Sequence, residues 1–237
     1  MRLHRFFISE RIGAKTKLIV HSAELVNQIR RVFRLKIGDS IVVFDSSGKD
    51  FECTIDSWSG KSIVLHVAAQ KNSRFGVQRN IFLCAALVKG DRFERIVEKS
   101  TELGVTDIMP VAAERAEKKG LNIARLKKIA EEASEQSGRG NVPALHAVMT
   151  LPVSIDFLRS RGVKNIVAFH TEGELFDGME ASKTAPVALF IGPEGGWTEA
   201  ELALFHNTHI VVRCLGRQVL RAETAAIAAL SLIIFGK

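Results

Sequence analysis

From residue 81 to the C-terminus, short apolar runs alternate with longer stretches of helical spacing, and this alternation constrains the fold more than any other feature. Strands are expected at IFLCAAL (81–87), DIMPVAA (107–113), NIVAFH (165–170), VALFI (187–191) and HIVVRC (209–214). Helices are expected near 91–103, 122–136, 151–160, 198–206 and 222–235. Runs such as VALFI are apolar at every position, as a strand covered on both faces must be. Strands that alternate with helices give a parallel sheet joined by crossover helices, so the predicted class is α/β.

The first 71 residues follow another pattern. Within 22–35 (SAELVNQIRRVFRL), Leu25, Val26, Ile29, Val32 and Phe33 share one helical face and Arg30, Arg31 and Arg34 lie outside it. SIVVFD, FECTIDSW and SIVLHVAA then read as three short strands divided by the turns SSGKD and SGK, which predicts a small antiparallel sheet or barrel. The polar stretch 70–80 reads as a linker, so two domains are expected, 1–71 and 72–237.

Charge follows the same division. Of the net charge of +7, residues 1–71 hold +5, from 12 Lys and Arg against 7 Asp and Glu. Such a surface either solubilises the domain or meets a polyanion, of which nucleic acid is the natural example. Acidic lipid fits less well, because no basic amphipathic helix with an aromatic face accompanies the charge. No apolar run is long enough to span a bilayer, and MRLHRFFISERIGAK at the N-terminus lacks the pattern of a signal peptide. Cys53, Cys84 and Cys214 are far apart with no CxxC pair, which suggests neither a disulfide framework nor a zinc site and points to a reduced cytoplasmic protein. Glu98 and Glu102, beside Lys99, read as a solvated helix face rather than a metal site.

The candidate chemistry lies at the carboxyl ends of the last strands, where open α/β sheets bind their ligands. VALFI runs into Gly192, Pro193, Glu194, Gly195 and Gly196. Glycines here allow positive φ and close backbone approach. Thr198 and Glu201 form a capping box that satisfies the next helix start internally. With neither GxGxxG nor GxxxxGK present, a phosphate cradle is a weak reading. The second point is CLGRQVLRAETAAIAALSLIIFGK (214–237). There Leu215 and Gly216 end a strand, and Glu223 and Thr224 open a helix at the end whose dipole favours a carboxylate. That helix is apolar almost all round and must be buried, in the core or against a second subunit.

GPEGGWTEAE together with LGRQVLRAETAAIAAL closely resembles the SPOUT methyltransferases, whose parallel sheet is tied in a C-terminal trefoil knot. Within them the chain resembles the RsmE family, which methylates N3 of a uridine in 16S ribosomal RNA. RLHRFFI, LVKGDRFERIVEKSTELGV (87–105) and EQSGR (135–139) are similar to the same family, so the resemblance covers nearly the whole chain in order. It implies a SPOUT domain behind an N-terminal PUA-like β-barrel, S-adenosylmethionine bent between the knot loops, 16S rRNA of the small ribosomal subunit as partner, and a homodimer. Knotted chains are rare, and the knot rests on the resemblance alone. No metal or membrane is implied.

The resemblance also places the cofactor. Gly192 to Gly196, with Phe190 and Ile191 before them, would form one wall. Leu215, Gly216, Val219 and Leu220, with Thr224 and Ala225, would form the opposite one. The segment His170 to Gly173, with Glu172, would be the third side. Glu194 either faces the cationic sulfonium or fixes the loop by accepting backbone amides. Methyl transfer must hold N3 in line at near-attack distance and stabilise the anion left when N3 loses its proton. An arginine on a uracil carbonyl does this while staying charged. Arg221 is the first candidate and Arg139 the second. Glu223 orients Arg221, helps remove the proton, or is a plain helix-start carboxylate; His170 is a base by residue type or merely hydrogen-bonded at a strand end. RNA contacts are expected from Arg2, His4, Arg5, Arg30, Arg31 and Arg34. The run Lys118, Lys119, Arg125, Lys127 and Lys128 extends that surface or is a wet face. The alternatives are a knotted enzyme acting on another RNA position or a ribose 2′-hydroxyl, and an RNA-binding assembly factor without chemistry; the intact glycine loop argues against the last.

Overall fold

The computed structural model describes residues 3–74, 79–116, 120–178 and 184–236. The chain divides into two compact units, Met1–Gly76 with Ser134–Val142, and Val77–Ala133 with Pro143–Lys237.

In the first unit, β1 (Arg5–Phe7), β2 (Lys17–Val20), β3 (Ser40–Phe44), β4 (Lys49–Ser59) and β5 (Ser62–Asn72) make one sheet in the order β1-β3-β4-β5-β2. The pairs are antiparallel except β1 with β3, which is parallel. Sequence periodicity predicts only the last three strands, because β1 and β2 are three and four residues long and too short to show alternation. β5 also runs on into the stretch expected to be linker. The single helix expected over 22–35 is instead a short α1 (Ala23–Asn27), capped by Ser22 Oγ accepting from the Leu25 amide, followed by a π-helical turn at Gln28–Val32. Arg34, at φ 55°, ends this segment in the left-handed region. The apolar spacing still serves one face: Leu25, Val26 and Ile29 are buried with Phe6, Ile41, Phe51 and Leu65. Residues 134–142 pack into the same unit, where Glu135 Oε1 accepts from the Phe7 amide at 2.8 Å.

The second unit holds β6 (Ile81–Ala86), α2 (Gly90–Leu103), β7 (Asp107–Ala112), most of α3 (Ile123–Ser137), β8 (Ala144–Leu145), β9 (Met149–Thr150) and α4 (Leu151–Ser160). β10 (Asn165–Leu175), β11 (Val187–Ile191), α5 (Glu199–Asn207), β12 (Val211–Cys214) and α6 (Ala222–Phe235) follow. The strands pair in parallel in the order β12-β10-β11-β6-β7-β8, with β9 also on β7. β11 lies between β10 and β6, and all five of its residues are at most 1% exposed, which is why VALFI needs no polar position. β10 continues five residues past its predicted end, with a break in register against β12 between Phe169 and Glu174. Behind β11, Trp197 packs edge to face with Phe190 and Phe205, its centroid 5.2 Å from that of Phe205, and Phe190 is tilted against Phe205. Replacing a buried aromatic of this kind by alanine costs about 3–5 kcal/mol, so this cluster anchors the loop that follows β11.

Candidate cofactor cleft

β10, β11 and β12 are parallel, so the loops leaving them emerge at one end of the sheet. Between these loops lies a cleft open to solvent, with a cavity volume of about 90 Å³. Ile191, Gly192, Pro193, Glu194 and Gly196 form one wall. A Cβ on Gly192 would sit 3.2 Å from the Trp197 indole, a tight contact, and Gly196 has φ 68°, a backbone conformation that favours glycine. The Gly196 amide donates to the Pro193 carbonyl at 2.9 Å and closes the turn. Trp197 Nε1 donates to the Phe169 carbonyl at 3.0 Å, which ties the turn to the middle of β10. Thr198 then caps α5 through the expected capping box with Glu201.

Leu215, Gly216, Val219, Leu220 and Ala225 form a second wall, and His170 stands on the third side. His170 Nδ1 accepts from the Glu172 amide at 3.2 Å, a local bond that fixes its ring. Other expected cofactor residues stand outside the lining: Phe190 is fully buried in the strand, Glu172 and Gly173 belong to the exposed extension of β10, and Thr224 is exposed on α6. Gly195 meets Arg115 instead. Thr171, inside the expected 170–173 segment, lines the cleft as well, and the structure adds Phe169, Trp197, Gln218 and Ala222. Of these, only Trp197, which completes GPEGGW, had a readable sequence signal.

Glu194 forms an ion pair with Arg92 in the first turn of α2, so its carboxylate is engaged by a guanidinium and not by the turn's own amides. Arg221 is exposed at the N-cap of α6, directly after the cleft wall. Glu223, in the first turn of that helix, is only 8% exposed, and its Oε2 has no hydrogen-bond partner among the described residues. Arg139 belongs to the other unit and is buried; burial pushes its pKa down to about 10, which leaves it charged at neutral pH. The lining carries no Lys or Arg. Apolar walls, glycine backbone and the absence of a cation suit a flat heterocycle and a compact positive centre, and not a polyphosphate.

The expected RNA residues divide. Arg5 is turned inward: both its Nη atoms donate to Asp50, at 2.6 and 2.8 Å, and Nη2 also to the Arg139 carbonyl, so it is spent on the fold and unavailable to a phosphate. His4, Arg30, Arg31 and Arg34 are exposed, with His4 against Phe33 and Arg30 over the Trp58 ring. Arg2, Lys118 and Lys119 lie outside the described residues. Among the described residues no metal-binding group of His, Cys, Asp and Glu gathers, and no helix is long and apolar enough to cross a membrane.

Fold and cleft together are those of the RNA methyltransferase domain, whose family model matches residues 77–234; the model of the RNA methyltransferase PUA domain matches residues 26–67. Ribosomal RNA small subunit methyltransferase E of Bacillus subtilis is 31% identical over 90% of this chain and 88% of its own, and that of Rickettsia conorii is 28% identical over 98% and 95%. The crystal structure of ribosomal RNA small subunit methyltransferase E from Neisseria gonorrhoeae, bound to S-adenosylmethionine, superposes with a TM-score of 0.82 at 28% identity, covering 97% of this chain and 96% of that one. The chain belongs to the ribosomal RNA small subunit methyltransferase E family.

Proposed function

We propose that this protein transfers a methyl group from S-adenosylmethionine to N3 of a uridine in 16S ribosomal RNA, acting on the small ribosomal subunit in the cytoplasm. The observation that carries this reading is the cleft at the carboxyl ends of β10, β11 and β12, with its glycine turn and its lining free of lysine and arginine. Gly192 and Gly196 would let the cofactor lie against bare backbone, while Ile191, Leu215, Leu220 and Ala225 would cover its adenine. The cofactor supplies an electrophilic methyl group on a cationic sulfur. The remaining work falls to the chain. Arg221, exposed beside the wall, neutralises the charge that spreads onto a uracil carbonyl as N3 loses its proton. Glu223 accepts that proton or holds the Arg221 guanidinium; a positioned acid or base of this kind contributes about 10²–10⁴-fold.

His4, Arg30, Arg31 and Arg34 contact phosphates and position the RNA, whose target base must leave its stack to be reached. A homodimer belongs to the same reading. Val219, Leu175 and Phe235 are 77%, 62% and 70% exposed on one chain, which is costly apolar surface to leave in water. The trefoil knot belongs to this reading too.

Nucleoside mass spectrometry of small-subunit rRNA from cells with and without the gene tests it. Loss of 3-methyluridine on deletion, restored by the wild-type gene and not by Arg221→Ala, is the expected result. An unchanged 3-methyluridine signal refutes it.

A further inference from the structure

Two side chains from outside the cleft lining, Arg92 and Arg115, reach the glycine turn, and the Glu114 amide reaches the capping box just after it. Arg92 pairs with Glu194. Arg115 Nη1 donates to the Gly195 carbonyl at 2.9 Å, and its aliphatic stem fills the space beside Gly195, where a Cβ would come within 3.3 Å of it. The Glu114 amide donates to Glu201 Oε1 at 2.9 Å, while Glu201 Oε2 accepts from the Thr198 amide at 2.8 Å in the capping box. The tethers come from the first turn of α2, which follows β6, and from the loop after β7; β6 and β7 are the strands next in line beyond β11.

Arg92 is the telling residue. It stands in the first turn of α2, the end at which the helix dipole repels a cation. A guanidinium in that place is unfavourable for the helix by itself and becomes favourable only through the carboxylate it meets. That carboxylate belongs to the turn. Glu194 thus gains its partner from a residue 102 positions away in sequence.

We infer that Arg92 and Arg115 are positioning residues that hold the 192–196 turn in its cofactor-binding shape, with Glu194 acting as the turn's anchor point and not as a ligand of the sulfonium. This rests on the methyltransferase reading. Both arginines act through the turn: Arg92 fixes the side of it that faces the cleft, and Arg115 fixes the peptide between Gly195 and Gly196. Losing either leaves the cleft residues in place and loosens the geometry they present. The consequence is weaker cofactor binding at unchanged chemistry.

The test is cofactor affinity by calorimetry on the full chain, with steady-state methylation of a small-subunit substrate alongside. Arg92→Ala, Glu194→Ala and Arg115→Ala each weaken S-adenosylmethionine binding by about two- to tenfold, the range that one net hydrogen bond or ion pair accounts for. Arg92→Ala and Arg115→Ala raise its KM correspondingly and leave kcat within twofold. Arg92→Lys, which keeps the charge and a foldable helix, recovers most of the affinity. The Arg92→Ala/Glu194→Ala double variant binds no more weakly than either single one, because both remove the same contact. Unchanged affinity in the single variants overturns the inference, as does a fall in kcat at constant KM or strict additivity in the double. A wild-type chain that binds no S-adenosylmethionine at all sinks the methyltransferase reading instead.

Discussion

The buried end of Glu223 makes a prediction about stability as well as catalysis. The residue is 8% exposed, and its Oε2 is buried with no partner among the described residues. A buried polar group left unpaired costs about 1–3 kcal/mol. Its place in the first turn of α6 returns about 0.3–1 kcal/mol through the helix dipole. The balance leaves the native side chain destabilising by roughly 1–2 kcal/mol. Glu223→Met, which keeps the length and removes the charge, is therefore expected to raise the melting temperature of the cofactor-free protein by about 2–6 °C at the scale usual for a chain of this size. Glu223→Gln gives a smaller rise. Under the proposed reaction, in which this carboxylate takes the N3 proton or holds Arg221, methylation falls by about 100-fold or more in both variants. Differential scanning calorimetry without cofactor, paired with a methyl-transfer assay, reads both effects. A Glu223→Met protein that melts at or below the wild-type temperature refutes the reasoning, because the carboxylate must then be satisfied in the resting fold.

Other groups offer independent checks. Arg5 and Asp50 have side chains only 10% and 7% exposed, so Asp50→Ala, which strands the guanidinium, is expected to destabilise the first unit by about 3–5 kcal/mol in urea melts. At Asp45, burial alone would raise the carboxyl, but hydrogen bonds from the Ser47 side chain and the Ile12 and Ser47 amides, with Arg11 nearby, outweigh it and hold the pKa below the ordinary 3.8. The folded state therefore binds this proton less tightly. Its contribution is complete above pH 3.8 and is lost as pH falls through the depressed folded value, so Asp45→Asn removes part of the acid sensitivity of denaturation in that window. Cys53 is pushed up to about 12 by burial, and Cys84 is raised further by burial and by Asp107, so neither reacts in the native protein. Half-buried Cys214, next to the cleft wall, is the thiol expected to react with an aromatic disulfide reagent, and S-adenosylmethionine slows that reaction.

What the sequence discloses here depends on burial and on distance along the chain. β11 spans the predicted 187–191 because five apolar residues between Pro186 and Gly192 are too few for a helix and suit an interior parallel strand. α4 and α6 keep their predicted ends, set by Pro152 at one start and by Gly236 after the last turn. β1 and β2 escape notice because pairing, and not periodicity, makes them strands. The π-helical turn at 28–32 has the same apolar positions as an α-helix, so no pattern distinguishes them. In the cleft, the glycine turn is readable because its backbone demands glycine. Arg92 and Arg115 are not, because each acts on a residue 80 or more positions away. Arg5 is the reverse case: a terminal arginine reads as surface, and only the fold supplies the carboxylate that draws it in.

The strand order has a consequence for how the chain is made. β6 carries β7 on one edge and β11 on the other, and β11 follows it by roughly a hundred residues. At about 5–20 residues per second, an emerging chain keeps that apolar edge unpaired for roughly 5–20 seconds. β10 emerges before both of the strands that flank it, so it too has no partner at birth. During those seconds the nascent protein carries two sticky strand edges beside the ribosome's exit, and its yield in the cell depends on what shields them there.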